Sequence, residues 1–264
     1  MKPYLAPVWL PGGHAQTIWP LLIKPKPLKF RRERWTTPDG DFIDVDHLDG
    51  PQDSPLLVLF HGLEGSAQSH YALSTAHACK KAGWRLALPH FRGCSGEMNR
   101  RPRAYHSGDS DEIDWILRRL QAANSGRQLH AAGVSLGGNA LLKWAGERGA
   151  AAAQQVTGVV AMCAPLDLAA CGHHLAHGFN RIYTQHFLKT LKAISSARLH
   201  QFPGLFDEAK MYQAINLYQF DDIVTAPIHG FAGADDYWRR ASAKPWLKSI
   251  AIPTLAVNPK NDPF

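Results

Sequence analysis

Apolar runs and helix-like spacings alternate along the middle of the chain, between residues 55 and 165. The run PLLVLFHG at 55–62 is continuously apolar and ends in His-Gly, which is typical of a central strand buried on both faces. The stretch DSDEIDWILRRLQAAN at 109–124 has an apolar helical face and acidic residues in its first turn, which favours a helix. Strands that alternate with helices at this spacing indicate an α/β fold, a mostly parallel sheet covered by helices on both faces. The same two patterns predict further strands at 84–93, 127–135 and 156–165 and further helices at 70–83 and 137–149.

The flanking segments have different patterns. DGDFIDVDHL at 39–48 alternates apolar and polar residues and predicts an antiparallel edge strand. Residues 1–30 are rich in proline and aromatic residues and predict an extended arm lying on the domain. Residues 166–250 are mostly helical and irregular, and IPTLAVNPKNDPF at 252–264 returns to a strand and a turn. We therefore expect one domain over residues 1–264, with a lid or cap inserted at 166–250.

Composition places the chain among ordinary globular proteins. Of its 264 residues 45% are hydrophobic and 19% charged, which argues against disorder. The net charge is +7 and the pI about 9.3. The basic residues are scattered, and their densest runs, FRRER at 30–34 and NRRPR at 99–103, are too short for a nucleic-acid-binding tail. We expect no nucleic-acid partner, but a weak contact with an anionic membrane surface fits this charge.

The cysteines and the hydropathy suggest where the protein works. Its four cysteines, Cys79, Cys94, Cys163 and Cys171, form no C-x-x-C pair, which favours free thiols in a reducing compartment. The N-terminal stretch is a poor signal peptide because prolines interrupt its apolar run. The sequence contains no run of about 18 apolar residues, so it predicts no transmembrane helix. We expect a soluble, cytoplasmic protein.

The strongest chemical signal is Gly133-Val134-Ser135-Leu136-Gly137, a G-x-S-x-G motif. It lies between a predicted strand and a predicted helix, the context in which such a serine forms a nucleophile elbow. Gly133 and Gly137 occupy the two positions where a Cβ atom would clash in that sharp turn. The alternative is a glycine-rich contact that only packs the helix on the strand. The context favours Ser135 as a catalytic nucleophile.

Two backbone N–H groups are candidates for stabilising an oxyanion. Leu136 follows the serine at a helix N-terminus, and Leu63 follows the first central strand in FHGLEGS. His61 could serve as a general base, but a histidine at this position more often orders the loop. Glu64 is expected to be a solvated loop carboxylate.

These motifs resemble those of the α/β-hydrolase superfamily, and more narrowly the YheT-like branch of the AB hydrolase 4 family. That branch contains bacterial hydrolases related to eukaryotic esterases and lipases and to yeast medium-chain ethyl-ester synthases. The resemblance spans nearly the whole chain. It rests on GGHAQTIW at 12–19, FHGLEGS at 60–66, HFRGCSGEMN at 90–99, YHSGDSDE at 105–112, GVSLGGN at 133–139, FDDIVTAPIHGF at 220–231 and NPKNDPF at 258–264.

The resemblance implies that Ser135 is the nucleophile and that Asp262, in NDPF, is the acid of a Ser-His-Asp triad. In this family the order along the chain is Ser, Asp, His, but only two residues follow Asp262. The resemblance thus implies a truncated sequence, from which a C-terminal strand, the loop with the triad histidine and a terminal helix are missing. The alternative is that another histidine is the base. The candidates in the lid region are His173, His174, His177, His186, His200 and His229.

The function implied is hydrolysis of short- to medium-chain carboxylic esters through an acyl-enzyme, without a cofactor or metal. Two alternatives remain open: an acyltransferase that uses the same site, and a non-catalytic binding module that lacks the histidine. In hydrolysis and in acyl transfer alike, the partner would be a small-molecule or lipid-like ester. Apolar lid residues either line an acyl pocket or pack the lid on the body: Phe179, Tyr183, Phe187, Leu188 and Leu191.

Two weaker signals suggest other chemistry. Cys94, in HFRGCSGEMN, could be a reactive thiol, although no base is evident beside it. CGHH at 171–174 could contribute to a metal site, but no second pair of ligands is spaced to complete it.

Overall fold

The computed structural model describes residues 6–23 and 25–264. A sheet of seven strands forms the centre of this part of the chain, in the order β1-β2-β4-β3-β5-β6-β7. Neighbours from β4 to β7 pair in parallel, whereas β1 and β2 are antiparallel to their neighbours. The strands are β1 (Arg31–Thr36), β2 (Phe42–Leu48), β3 (Leu56–Phe60), β4 (Arg85–Pro89), β5 (Leu129–Val134), β6 (Gly158–Met162) and β7 (Thr254–Val257).

Helices cover both faces of the sheet, as the sequence predicts. The helices are α1 (Gly12–Leu22), α2 (His70–Ala82), α3 (Ser110–Ala123), α4 (Leu136–Arg148), α5 (Leu168–Leu175), α6 (Arg181–Gln201), α7 (Glu208–Gln213), α8 (Leu217–Phe220), α9 (Ala226–His229) and α10 (Ala234–Ala241). Short 3-10 helices occur at Gly149–Gln154, Gly178–Asn180 and Lys244–Ser249, and a π-helical turn occurs at Asp221–Thr225.

The two layers of core follow from the alternation of side chains along β3. Val58 and Phe60 pack in the larger core with α3 and α4, whereas Leu59 packs in the smaller core with α2. These three side chains have no exposed surface. Burying a side chain of this size contributes about 1.5–3 kcal/mol relative to leaving it exposed. The continuous apolar run of this strand thus serves both faces of the sheet.

The parallel pairing also determines where a site can form. β3, β5 and β6 run in the same direction, so the loops that follow them all leave from one edge of the sheet. In open α/β sheets, ligands bind in the crevice at the carboxyl ends of such strands. The G-x-S-x-G motif and FHGLEGS both lie at this edge.

Two sequence-based expectations are wrong at the N-terminal side. The segment at 39–48 does form an antiparallel strand, β2, but β2 is not an edge strand, because β1 pairs with its outer side. The charged segment RRERWT gives little sign of a strand. It pairs because Arg32 and Arg34 stand opposite Asp46 and Asp44 and bind them at 2.7 and 2.8 Å.

The second error concerns residues 1–30, for which an extended arm is expected. Residues 1–5 and 24 lie outside the described part of the chain, and Gly12–Leu22 form a helix, α1, although Pro20 lies within it. Its start packs against the last residues of the chain: a Cβ atom on Gly13 would lie only 1.9 Å from the carbonyl oxygen of Asn261. Tertiary contact therefore supports a helix that local pattern does not predict.

The segment between β6 and β7 is helical, from α5 to α10, and has apolar clusters of its own. Leu188 of α6 packs with Met211 and Phe220, and Leu168 of α5 packs with Tyr237 and Trp238 of α10. β7 then returns to the sheet beside β6. Across residues 6–23 and 25–264, the helices are all too short or too polar to cross a membrane.

Candidate active site

Ser135 occupies the sharp turn between β5 and α4. Its backbone has φ 52° and ψ −120°, a conformation that non-glycine residues rarely adopt. Two backbone hydrogen bonds hold the turn: the Ser135 N–H donates to Met162 at 2.8 Å, and the Ser135 carbonyl accepts from Asn139 at 3.0 Å. Strain of this kind persists only where the surrounding structure enforces it. The structure thus has the strand–turn–helix geometry that the motif predicts.

The glycines on either side of the serine allow this turn. A Cβ atom on Gly133 would lie 2.4 Å from the carbonyl oxygen of Gly137. A Cβ atom on Gly137 would lie 2.5 Å from the carbonyl oxygens of both Phe60 and His61. The start of α4 therefore packs directly against the end of β3, and only glycine fits at the contact.

Ser135 opens into a cleft between the sheet edge and the helical segment 166–250. Its empty volume, including the open mouth, is about 1160 Å³, and most of the surface that lines it is apolar. Glu64, Ser135 and Cys163 line this cleft and are the non-glycine residues with positive φ in the described part of the chain. Backbone strain is therefore concentrated around one cleft, as is common at functional sites.

Two unpaired N–H groups face the same region. Those of Leu63 and Leu136 donate to no acceptor among residues 6–23 and 25–264, and both residues line the cleft. Leu136 is the first residue of α4, where an N–H has no partner within the helix. On either side of Leu63, the N–H groups of Gly62 and Glu64 donate to the hydroxyls of Tyr71 and Tyr105 at 2.8 and 2.9 Å. The loop is thus held firmly while the Leu63 N–H remains free.

His61 orders this loop and is not available as a base. Its Nδ1 lies 2.7 Å from the carbonyl oxygen of Gly62, and its Nε2 accepts from the Phe91 N–H at 3.0 Å. Because one nitrogen must donate and the other accept, the ring is neutral. Burial lowers the pKa of His61 to about 3. This arrangement matches the loop-ordering role considered from the sequence.

Glu64 is not the solvated carboxylate that the sequence suggests. It is half-buried in the cleft, and the Tyr105 hydroxyl donates to its Oε1 at 2.6 Å. Burial raises the pKa of Glu64. The loop exposes its backbone to the cleft and holds its side chain against Tyr105, a long-range contact that local sequence does not reveal.

Asp262 lies in the turn that follows β7. Its carboxylate accepts from the Phe264 N–H at 3.1 Å and lies near Cys163, which lines the Ser135 cleft. Burial raises the pKa of Asp262, and its interactions with Phe264 and Cys163 oppose the increase. Asp262 is hydrogen-bonded to no histidine among the described residues. Strand β7 therefore brings the carboxylate close to the cleft, but no described histidine links it to Ser135.

The histidines that the sequence offers as alternative bases are dispersed. Only His229 among them lines the Ser135 cleft, where it stacks edge-on against His106 at 4.6 Å. Burial lowers the pKa of both rings to about 3, which makes them weak bases. His174 and His177 line a neighbouring cleft with Asp262, His173 contacts the rings of Tyr218 and Trp238, and His186 and His200 are exposed.

The apolar residues singled out in the lid segment divide between the two interpretations. Phe187 and Leu191 line the cleft, as an acyl pocket requires. Leu188 packs within the lid segment, and Tyr183 is buried with its hydroxyl 3.0 Å from His14. Phe179 remains 53% exposed. Spacing along the helix identifies the element correctly but not which of its side chains reach the cleft.

The two weaker chemical signals gain no support from the geometry. Burial raises the pKa of the Cys94 thiol far above its usual value, the opposite of what a reactive thiolate needs. No group of three or more His, Cys, Asp and Glu side chains is placed to hold a metal ion in the part of the chain that the structure covers.

The site also contains residues that the sequence motifs did not single out. Arg198 and Ser195 of α6 and Asp221 of the π-helical turn all line the cleft. Asp221 lies within FDDIVTAPIHGF, one of the stretches that carry the family resemblance, whereas Arg198 and Ser195 lie outside all of these stretches, so no local signal marks them.

Comparisons with known proteins agree with this architecture. A family model described as the alpha/beta hydrolase fold matches residues 55–264. The protein YheT of Escherichia coli (strain K12), whose name describes it as a candidate esterase, is 42% identical over 258 residues, 95% of this chain and 75% of YheT. The human phospholipase ABHD3 is 27% identical over 271 residues, 99% of this chain and 66% of ABHD3. The chain thus spans three quarters of the length of one relative and about two thirds of the other.

Among solved structures, that of esterase Pf2001 from Pyrococcus furiosus matches with a TM-score of 0.47 and 15% sequence identity. The match covers 58% of this chain and 61% of that chain.

Proposed function

Because the chain belongs to the α/β-hydrolase family, we propose that it is a serine hydrolase of carboxylic esters with Ser135 as its nucleophile. The observation that carries this proposal is the strained turn of Ser135, which opens into an apolar cleft beside the free N–H groups of Leu63 and Leu136. A serine presented in this way, next to two donors, is suited to acyl transfer.

The reaction begins when a base removes the hydroxyl proton of Ser135 as its Oγ bonds to the ester carbonyl carbon. The carbonyl oxygen becomes an oxyanion, which the N–H groups of Leu63 and Leu136 stabilise. Collapse of this intermediate breaks the bond to the alcohol, which leaves with the proton held by the base. Water then attacks the acyl-enzyme by the same route, releasing the carboxylic acid and restoring Ser135.

In this proposal Asp262 orients the base, a histidine that lies outside the described residues. One observation supports that assignment. Among the described histidines, His61 uses both ring nitrogens in hydrogen bonds, and His106 and His229 are weak bases.

The cleft indicates the substrate class. Leu175, Leu191, Ile194 and Val224 give it an apolar lining, which suits a short- to medium-chain acyl group. We further propose that the protein works in a reducing compartment such as the cytoplasm, because its four cysteines are unpaired.

The test is labelling with a fluorophosphonate probe, which reacts with activated serines. We expect the full-length product of the gene to be labelled at Ser135 and Ser135→Ala to be unlabelled, with esterase activity lower by at least about 10³-fold. Ser107→Ala is the matched control, since Ser107 lines the same cleft. Residues 1–264 alone should label weakly.

Each other outcome has a definite meaning. Strong labelling of residues 1–264 would show that a described histidine is the base. Absence of labelling in a folded full-length protein would contradict the proposal and favour a binding module. If the labelled enzyme, when alcohol is added, converts the acyl group mainly to a new ester rather than to the free acid, acyl transfer is its main reaction.

A further inference from the structure

Arg198 of α6 is a buried cation without a partner. Only 4% of its surface is exposed, and its side chain makes no hydrogen bond and no ion pair with any residue in 6–23 or 25–264. Arg92 shows how this protein treats another buried arginine. Its guanidinium, 3% exposed, binds Glu112 at 2.6 Å, Asp39 at 2.7 Å and Asp41 at 3.3 Å.

The unpaired guanidinium faces the cleft that contains Ser135. Arg198 lines this cleft together with Ser195, which lies three residues earlier and so on the same face of α6. Opposite them lies Gly93: a Cβ atom there would be 3.3 Å from Nη2 of Arg198. The guanidinium therefore packs closely against the backbone at Gly93.

Glu64 is the acidic residue that attracts Arg198 most strongly, but it forms no ion pair with it. Burial lowers the pKa of Arg198, and attraction to Glu64 opposes this, but the two groups form no ion pair within 4.0 Å. The Oε1 of Glu64 instead accepts from Tyr105. Arginine stays protonated under such conditions because its intrinsic pKa is so high. The cleft therefore contains a positive charge with no bonded counter-charge.

An unpaired charge taken out of water is strongly destabilising, so a buried guanidinium normally has an anionic partner. We propose that this partner belongs to the substrate: the cleft takes esters that also carry a carboxylate or phosphate group, and Arg198 and Ser195 bind that group. The planar guanidinium can bind either oxyanion through two N–H groups. This inference rests on the proposed esterase function and adds to it the class of substrate.

A direct binding experiment tests the subsite without depending on catalysis. The full-length gene product carrying Ser135→Ala is titrated calorimetrically with monomethyl suberate, octyl phosphate and the neutral ester methyl octanoate. Arg198→Met keeps the apolar stem of the side chain and removes its charge. We expect Arg198→Met to weaken binding of the preferred anion by about 10-fold or more, and binding of methyl octanoate by less than about twofold.

The two anionic ligands distinguish the two sources of the charge. Tighter binding of monomethyl suberate would assign a carboxylate at the far end of the acyl chain, and tighter binding of octyl phosphate a phosphate ester. Arg198→Lys should retain part of the affinity for the anionic ligand. Ser195→Ala should lose less of that affinity than Arg198→Met. Arg181→Met, at an exposed position on the same helix, is the matched control and should bind all three ligands unchanged.

A purely structural role for Arg198, as a contact between α6 and Gly93, gives a different result. Arg198→Met would then lower the melting temperature and weaken neutral and anionic ligands alike, which would overturn the proposal. Equal affinity of the unsubstituted site for charged and neutral ligands would also overturn the proposal. If Arg198→Met fails to fold, Arg198→Lys and Ser195→Ala carry the same comparison.

The experiment also separates this inference from the function on which it rests. Loss of anion binding in Arg198→Met, together with no fluorophosphonate labelling of the protein in which Ser135 is intact, would retain the subsite and reject the esterase. Labelling of Ser135, with anion binding unaffected in Arg198→Met, would retain the esterase and reject the subsite.

Discussion

At the scale of single residues, the backbone of Ser135 is the most unusual feature of the site. Its φ of 52° and ψ of −120° fall where glycine is the residue that is free of strain. The sequence predicts the sharp turn at this serine, and the glycines at 133 and 137 explain how the turn fits. The conformation itself stores free energy that the packing of α4 against β3 must offset.

This strain predicts an unusual order of stability among variants that lack the nucleophile. We expect Ser135→Gly to have a free energy of unfolding about 1 kcal/mol higher than Ser135→Ala, because glycine adopts the turn without a Cβ clash. Urea unfolding followed by circular dichroism measures the difference.

The control is the same pair of substitutions at Ser74, an exposed position in α2. There glycine should be the less stable variant by about 1 kcal/mol, because it is a poor helix former. If glycine is also the less stable variant at position 135, the turn is not strained.

At the scale of elements, α1 differs from the other long helices in having no buried residue. At its end, Leu21 is 52% exposed and Leu22 is 72% exposed. The apolar residues beside the helix are exposed too: Trp9 before it at 60% and Ile23 after it at 57%. Its N-terminal turn is tied to the body, where His14 contacts Tyr183 of α6. An exposed apolar helical surface on a protein of net charge +7 is suited to lie on an anionic lipid surface.

We therefore expect weak, salt-dependent binding to vesicles of phosphatidylglycerol and phosphatidylcholine. Co-sedimentation should show tighter binding to these mixed vesicles than to vesicles of phosphatidylcholine alone. Leu22→Glu should weaken it by about 10-fold, since burying a leucine in the interface contributes about 1.5–3 kcal/mol.

Tyr212→Glu is the matched control, because Tyr212 of α7 is 54% exposed and lies outside α1. Equal effects of the two substitutions would show that α1 is not the contact surface.

At the scale of the whole molecule, buried histidines make the fold sensitive to acid. Burial lowers the pKa of His61, His106 and His229 to about 3 in the folded protein, against about 6.5 when unfolded. Unfolding below pH 6.5 therefore takes up protons. The stability from keeping these rings neutral is fully present above pH 6.5 and is lost as the pH falls towards 3.

For fully buried His61, the loss is at most about 1.4 kcal/mol per pH unit below 6.5. Asp221 acts in the opposite direction: burial raises its pKa to about 6, so its protonation stabilises the fold as the pH falls from 6 towards 4. The informative quantity is therefore the change in slope caused by a substitution. We expect His229→Asn to make the free energy of unfolding less dependent on pH between 6.5 and 4.5.

Urea titrations at several pH values measure that slope. His200→Asn, at an exposed position in the lid segment, is the control and should leave the slope unchanged. A slope in His229→Asn equal to that of the unsubstituted protein would show that folding does not lower the pKa of His229.

Local pattern by itself determined much of this protein. The apolar runs of β3 to β6 and the amphipathic helices between them predict a parallel sheet covered on both faces, because each pattern reports burial within its own element. The G-x-S-x-G motif predicts the turn at Ser135, because its requirement for glycine is also local. Where pairing depends on another segment, prediction failed: the charged strand β1 exists because its arginines meet the carboxylates of β2.

Only the tertiary structure decided which distant side chains share the Ser135 cleft. Glu64 is held by Tyr105, and Arg198, 63 residues after the serine in the chain, has no partner among residues 6–23 and 25–264. Neither fact has a signature in sequence spacing, because both depend on how the segment 166–250 folds back over the sheet. Periodicity records which face of an element is buried; what that face meets is determined by the packing of elements far apart in the chain.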